Sequence, residues 1–187
     1  MSVLTKKEFP MTSRCPPISD QNWPAEIANM NAGFAGELNV YRTMAHHPAL
    51  LQAWAPLRQH IVNESALGPV RSELVILRAA HRIGSGYEWA HHVSRARKLG
   101  ISDPRIRSMQ GSPDGEDGMI AVAVDALFDR AQLPPDIESA LSKSMGVQAV
   151  FDLMATVGFY LVLGFILNTY DTPLDEAVSA EINLMDT

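Results

Sequence analysis

Hydrophobic residues recur every three or four positions along most of this chain, which is the spacing of amphipathic helices. No segment shows the sustained alternation of apolar and polar residues that marks a half-buried strand. Glycines and prolines divide the pattern, since both residues commonly end helices. The periodicity predicts an all-α fold with helices over residues 25–45, from 48 onward, 69–83, 86–99, from 103, 119–131 and 135–170, the last split near residue 146, and a short C-terminal helix or turn.

The chain is long enough for one domain with a full hydrophobic core, because its 187 residues fall in the usual range of single domains. Residues 1–24 contain four prolines and are predicted to be irregular. Residues 25–187 are predicted to form a single helical domain. Within it, residues 111–118, with the sequence GSPDGEDG, are predicted to form the clearest loop.

The longest apolar run covers residues 153–167 and is 15 residues long. A transmembrane helix needs about 20 apolar residues, and Gly158 and Gly164 interrupt this run. We therefore expect a buried helix at a contact between subunits, and no membrane partner. The predicted assembly is a homo-oligomer.

Charge and composition narrow the range of partners and locations. The formal net charge is −6, and no lysine- or arginine-rich run is present, so nucleic acid is not an expected partner. The first residues contain no apolar signal-peptide core, which favours a cytoplasmic location. Cys15 is the single cysteine, so no internal disulfide or redox pair is expected.

The sequence SGYEWAHHV at residues 85–93 places two histidines on different faces of one predicted helix. With about 100° per residue, Trp89 and Val93 define a buried stripe. His92 falls inside this stripe and Glu88 at its edge. His91 falls among basic residues, so it is expected to face solvent.

The preceding predicted helix carries a carboxylate where its apolar face should be. Glu73 lies in the middle of that face, and His81 lies near its edge. A buried carboxylate is costly unless it has a partner. A tight Gly-Ser-Gly turn joins the two helices, so they should pack antiparallel, and we predict a pair between Glu73 and His92. His60 has no visible partner.

Structural explanations compete with the functional one. Ser85 and Glu88 have the spacing of a capping box, in which each side chain bonds the other residue's amide. An inward histidine such as His92 is often only a hydrogen-bonded core residue. Glu88 and His92 could also share a metal ion, but a ligand set normally needs three or four groups, and only Glu73 can be named as a third. No metal and no cofactor are expected.

The four motif residues carry a resemblance to a known family. Glu73, Ser85, Glu88 and His92 follow the spacing Glu-x11-Cys-x2-Cys-x3-His of the AhpD-like superfamily, which includes the carboxymuconolactone decarboxylases. The flanking sequences HPALLQAW, RSELVILRAA, RKLGISDPRI and VGFYLVLGFILNTYDTPLD are also similar to the decarboxylase branch. The similarity covers roughly residues 36–176.

The resemblance implies an AhpD-like helical fold and an assembly of three or six subunits, or two. In AhpD-type members the cysteine pair reduces peroxides, with the histidine and glutamate as a proton relay. Here Ser85 and Glu88 replace the cysteines, so no thiol peroxidase is expected.

The activity implied is that of a cofactor-independent C–C lyase of decarboxylase type. Its substrate would be a small carboxylated lactone or a related intermediate of aromatic catabolism. The candidate catalytic residues are Glu73, His92 and Glu88; the candidate substrate contacts are Ser85, Tyr87, Trp89 and His81. Two alternatives stay open: an isomerase or hydratase at the same site, and a non-enzymatic helical oligomer that binds a small ligand.

Overall fold

The computed structural model describes residues 14–183, and every regular element in that range is helical. The prediction of an all-α fold is therefore confirmed. Short 3-10 turns at Asp20–Asn22 and Ala25–Ile27 come first, and a π-helical turn at His60–Glu64 follows the fourth helix. The α-helices are α1 (Ala28–Asn31), α2 (Phe34–Glu37), α3 (Asn39–Met44), α4 (Pro48–Gln59), α5 (Gly68–Ile83), α6 (Gly86–Lys98), α7 (Asp103–Ser108), α8 (Gly115–Arg130), α9 (Pro135–Met145), α10 (Val147–Tyr170) and α11 (Glu176–Asn183).

The two ends of the predicted domain division lie partly outside this range. Residues 1–13 of the segment predicted to be irregular, and residues 184–187 of the predicted helical domain, are not among the described residues. In the described part of the first segment, Ile18 and Trp23 pack against the hydrophobic core. The boundary at residue 24 stays a prediction.

Two elements differ from the sequence prediction. The single helix expected over residues 25–45 is broken into α1, α2 and α3. At Gly36 a Cβ atom would lie 1.9 Å from the carbonyl oxygen of Asn31, so the chain folds back on itself where only glycine fits. The predicted loop at 111–118 is shorter, because α8 begins at Gly115. Glu116 and Asp117 stand in its first turn, where carboxylates stabilise the helix N-terminus.

Helices α5 and α6 form the pair that carries the motif. Helix α5 ends at Gly84, whose φ of 68° is the left-handed conformation that glycine adopts readily. Ser85 then caps α6, so the chain reverses within two residues. Helix α5 packs mainly against α6 and α10, with α8 on another side. This arrangement places α5 between α6, α10 and α8.

Helix α10 has one face in the core and one face exposed. Leu153, Val157 and Leu163 are buried, whereas Phe151 and Phe165 are more than half exposed. The helix is long and apolar enough to cross a membrane by length and composition, yet 56% of its most apolar window is buried inside the protein. The predicted buried helix is thus present, with one apolar face left uncovered in the single chain.

The segment that follows α10 crosses over α6. Asp175, just before α11, accepts a hydrogen bond from the Asn39 amide (3.0 Å) and one from the Tyr87 hydroxyl. On α11, Glu181 accepts a hydrogen bond from the Ser94 hydroxyl at 2.7 Å. These contacts hold residues 171–181, which we call the C-terminal strap, against the outer face of α6.

Candidate functional site

A small cavity lies where α3, α4, α6 and α10 meet. It is lined by side chains of opposite charge and by tyrosines: Leu38, Val40, Tyr41, Arg58, Val62, Tyr87, Glu88, His91, His92, Arg95, Tyr160 and Leu163. The space in which the centre of a water molecule fits is about 20 Å³, enough for about one water. A larger molecule would bind only after lining side chains move apart.

The predicted pair between Glu73 and His92 is present. The Nδ1 atom of His92 lies 2.5 Å from Oε2 of Glu73, and both side chains are buried. On the other side of the ring, Nε2 lies 3.5 Å from Oε2 of Glu88. Burial opposes the charged imidazolium, but the two carboxylates outweigh it and raise the pKa of His92 to about 9. At neutral pH the ring is therefore protonated on both nitrogens.

Glu88 lines the cavity beside His92. It is 4% exposed, and its Oε1 atom is buried with no hydrogen-bond partner among the described residues. Ser85 caps α6, because its hydroxyl accepts a hydrogen bond from the Glu88 amide at 3.3 Å. The reciprocal half of the predicted capping box is not formed. The Ser85 amide donates instead to the carbonyl of Ala80, which leaves the Glu88 carboxylate free to approach His92.

The expectation that His91 faces solvent is wrong. The residue is 7% exposed, because the C-terminal strap covers the face of α6 on which it lies. Its Nε2 atom is 2.9 Å from Oδ2 of Asp175, an ion-pair contact when the ring is protonated, and its ring stacks on Tyr87. The helical spacing of 100° per residue placed His91 correctly on α6. It could not show that a segment beginning 80 residues later in the chain covers this face.

Tyr87 lines the cavity, as a predicted substrate contact should, but its hydroxyl is already engaged. It donates a hydrogen bond to Asp175 and accepts one from the Val40 amide at 3.2 Å. Burial and the Asp175 carboxylate raise the pKa of this hydroxyl well above its usual value. Tyr87 is therefore better placed to shape the cavity than to transfer a proton.

Two other predicted substrate contacts are not brought to the cavity. His81 is exposed on α5, and Trp89 packs against the core cluster on the opposite side of α6. Ser85 is buried as the cap of α6 and does not line the cavity either. Of the four predicted substrate contacts, only Tyr87 therefore faces this space.

The structure adds cavity residues that sequence reasoning missed. Arg58 and Tyr41 come from helices that precede the motif, and Tyr160 comes from α10, with its ring edge-on to His92 at 5.0 Å between ring centres. Arg95 stands one turn after His91 on α6. The only signal in the sequence was the position of Arg95 beside the motif, because the other three reach the site through tertiary packing.

His60, for which the sequence showed no partner, has one. Its Nε2 atom lies 2.7 Å from Oδ1 of Asp152, a half-buried contact between the π-helical turn and α10.

Across residues 14–183 no group of three or more histidine, cysteine, aspartate or glutamate side chains is arranged to hold a metal ion. At the motif, Glu73 and Glu88 approach opposite nitrogens of the His92 ring. The three side chains therefore do not point at one common position, as the ligands of a metal ion would.

Residues 48–128 match the model of the carboxymuconolactone decarboxylase family. The matching segment covers 81 of the 187 residues. It runs from α4 to α8 and contains all four motif residues, whereas Tyr41 and Tyr160 of the cavity lie outside it. No curated protein matches the sequence.

Solved structures with the same fold span nearly the whole chain. An uncharacterized peroxidase-related protein from Silicibacter sp. TM1040 is 14% identical with a TM-score of 0.72, covering 94% of this chain and 97% of that one. The debrominase Bmp8 is similar in its apo form, with 15% identity, a TM-score of 0.67 and coverage of 92% and 97%. A cysteine-to-alanine variant of Bmp8 in complex with 2,3,4-tribromopyrrole is 16% identical with a TM-score of 0.66, again covering 92% of this chain and 97% of that one. At these identities the similarity establishes the AhpD-like fold that the decarboxylase family shares.

Proposed function

We propose that this protein is a cofactor-independent C–C lyase of decarboxylase type, acting on a small carboxylated lactone or a related intermediate of aromatic catabolism. One observation supports the proposal above the others: a buried His92 lies between Glu73 and Glu88, and Glu88 lines the cavity with one oxygen that has no partner among residues 14–183. The family match and the presence of an enzyme among proteins of this fold agree with an enzyme that acts on a small molecule.

Decarboxylation of such an acid requires an electron acceptor and a proton donor. When the C–C bond to the carboxylate breaks, CO₂ leaves and the electron pair enters the conjugated carbonyl system, giving a dienolate. A proton from Nε2 of His92 then passes through Glu88 to a carbon of the dienolate, and His92 regains a proton from solvent. Glu73 fixes the ring orientation and favours its charged form, so the proton is in place before the substrate binds.

The direct test is to incubate the protein with carboxymuconolactone in D₂O and to follow CO₂ release and deuterium incorporation by NMR. We expect CO₂ release and one deuterium in the product, on a carbon of the former dienolate. Deuterium exchange without CO₂ loss would point to the isomerase alternative, and the absence of any change in the substrate would contradict the proposal.

A pair of variants separates the relay from the helix cap. Glu88→Gln keeps the shape but cannot carry a proton, so we expect a rate loss of about 10² or more. Ser85→Ala removes only the cap of α6 and should cost about 1 kcal/mol of folding free energy, with a much smaller rate effect. Equal rate losses in the two variants would show that the motif acts through helix structure alone.

A further inference from the structure

Two arginines at the cavity differ from most others in the protein. Seven arginines in the described residues have carboxylate partners: Arg42, Arg71, Arg78, Arg82, Arg97, Arg105 and Arg107. Arg58 and Arg95, which both line the cavity, have no carboxylate partner among residues 14–183. A guanidinium is always charged and loses hydration when it is packed against protein. Two such groups facing one cavity are therefore costly unless an anion binds there.

The position of Arg58 is well defined. Its guanidinium lies over the ring of Phe34, 4.1 Å from the ring centre, a cation–π contact that orients the flat group. Its Nε atom is buried and has no hydrogen-bond partner among the described residues. This nitrogen therefore lacks an acceptor, which none of the described residues supplies.

Arg95 faces the same space from α6. Burial raises the pKa of the Tyr41 hydroxyl, while the positive charges of Arg58 and Arg95 both act on that hydroxyl in the opposite direction. The fields of the two guanidinium groups therefore overlap at one wall of the cavity. The two arginines come from α4 and α6, so a single anion between them would be held from two sides.

The charges around the cavity leave room for one anion. Among the described residues that line it, Arg58 and Arg95 carry permanent positive charges and Glu88 is the one carboxylate. Two positive groups against one negative group leave an excess of one positive charge on the lining. A bound monoanion would neutralise this excess in a low-dielectric site.

We propose that Arg58 and Arg95 together bind a carboxylate that the substrate keeps throughout the reaction, an assignment that rests on the function proposed above. The carboxylate that leaves as CO₂ is a poor candidate for this site, because it loses its negative charge during the reaction. Arginines bound to it would stabilise the substrate more than the transition state. A carboxylate that persists is bound equally before and after the reaction. The site then selects acids that carry a second carboxylate.

The binding test uses benzoate as the probe and calorimetry as the readout, so it requires no turnover. We expect wild-type protein to bind benzoate and not benzamide, its neutral counterpart of the same shape. Arg58→Gln and Arg95→Gln should each weaken benzoate binding about tenfold or more, because each removes a charged bidentate donor. Arg130→Gln is the matched control, since Arg130 is exposed and lies at the end of α8.

Circular dichroism checks that each variant is folded. If Arg58→Gln is unstable, Arg58→Lys is used in its place, because lysine keeps the positive charge. Arg58→Lys should lose affinity less than Arg95→Gln does. The proposal is overturned if wild-type protein does not bind benzoate, or if the variants at 58 and 95 bind it as tightly as the Arg130→Gln control.

Failure of this inference can be distinguished from failure of the proposed function. If benzoate binding depends on both arginines but carboxymuconolactone is not decarboxylated, the carboxylate site stands and the proposed reaction does not. If carboxymuconolactone is decarboxylated with an unchanged KM in both glutamine variants, the reaction stands and the arginine site is wrong.

Discussion

His92 and His91 are adjacent on α6 but have different partners. His92 contacts Glu73 and Glu88, and its ring meets the edge of Tyr160. His91 contacts Asp175 and therefore belongs with the C-terminal strap. Two buried histidines thus divide into one that lies between two carboxylates at the cavity and one that contacts a distant chain segment.

This difference predicts opposite outcomes for the same substitution. His92→Gln keeps a hydrogen bond to Glu73 but cannot be protonated, so we expect a rate loss of about 10² or more with carboxymuconolactone. His91→Gln should retain most of the rate and lower the melting temperature, because it weakens the strap contact. An inactive His91→Gln together with an active His92→Gln would move the proton chemistry to the other histidine.

The raised pKa of His92 also predicts how stability depends on pH. The pKa rises from 6.5 to about 9 on folding, so its contribution is fully present below pH 6.5 and is lost as the pH rises through 9. We expect the unfolding free energy to fall by roughly 3 kcal/mol over this window. Glu73→Gln removes the main charge that raises the pKa, so its stability should change much less with pH in denaturant titrations. Parallel curves for wild-type protein and Glu73→Gln would contradict this origin of the shift.

At the scale of elements, two glycines on α10 have opposite surroundings. A Cβ atom at Gly164 would lie 2.6 Å from Cδ1 of Ile83, at the end of α5. At Gly158, on the exposed face, a Cβ atom would meet nothing within 4 Å. The close approach of α10 to α5 near residue 164 helps to place Tyr160 beside His92.

Alanine substitutions at these two positions form a matched pair. Gly158→Ala should raise the unfolding free energy by about 0.5–1 kcal/mol, because alanine favours a helix. Gly164→Ala gains the same propensity but forces Ile83 to move, at a cost of about 1–3 kcal/mol, so we expect a net loss. Chemical denaturation of both variants measures the difference, and equal effects would show that α10 and α5 are not in close contact there.

At the scale of the whole molecule, the uncovered face of α10 is the main unexplained surface. Phe151 and Phe165 are 65% and 56% exposed on one side of the helix. Apolar side chains aligned in this way commonly mark a contact between proteins. We propose that this face joins subunits of a homo-oligomer.

Sedimentation equilibrium tests this assembly. We expect wild-type protein at micromolar concentration to be larger than a monomer, and Phe165→Ser to shift the equilibrium toward the monomer. Leu99→Ser is the control, because Leu99 is also a partly exposed apolar residue but lies at the end of α6. A monomeric wild-type protein would contradict the proposal, as would equal dissociation in the two variants.

The sequence by itself determined the helical fold and the centre of the candidate site. Helical periodicity, the turn at Gly84 and Ser85, and the motif spacing depend on residues close together in the chain, so local geometry was sufficient to pair Glu73 with His92. Only the tertiary structure decided that His91 is buried, because Asp175 reaches it from a distant segment. It also decided that Arg58, Tyr41 and Tyr160 line the same cavity as His92, since helices far apart in sequence meet there through packing that no periodic pattern records.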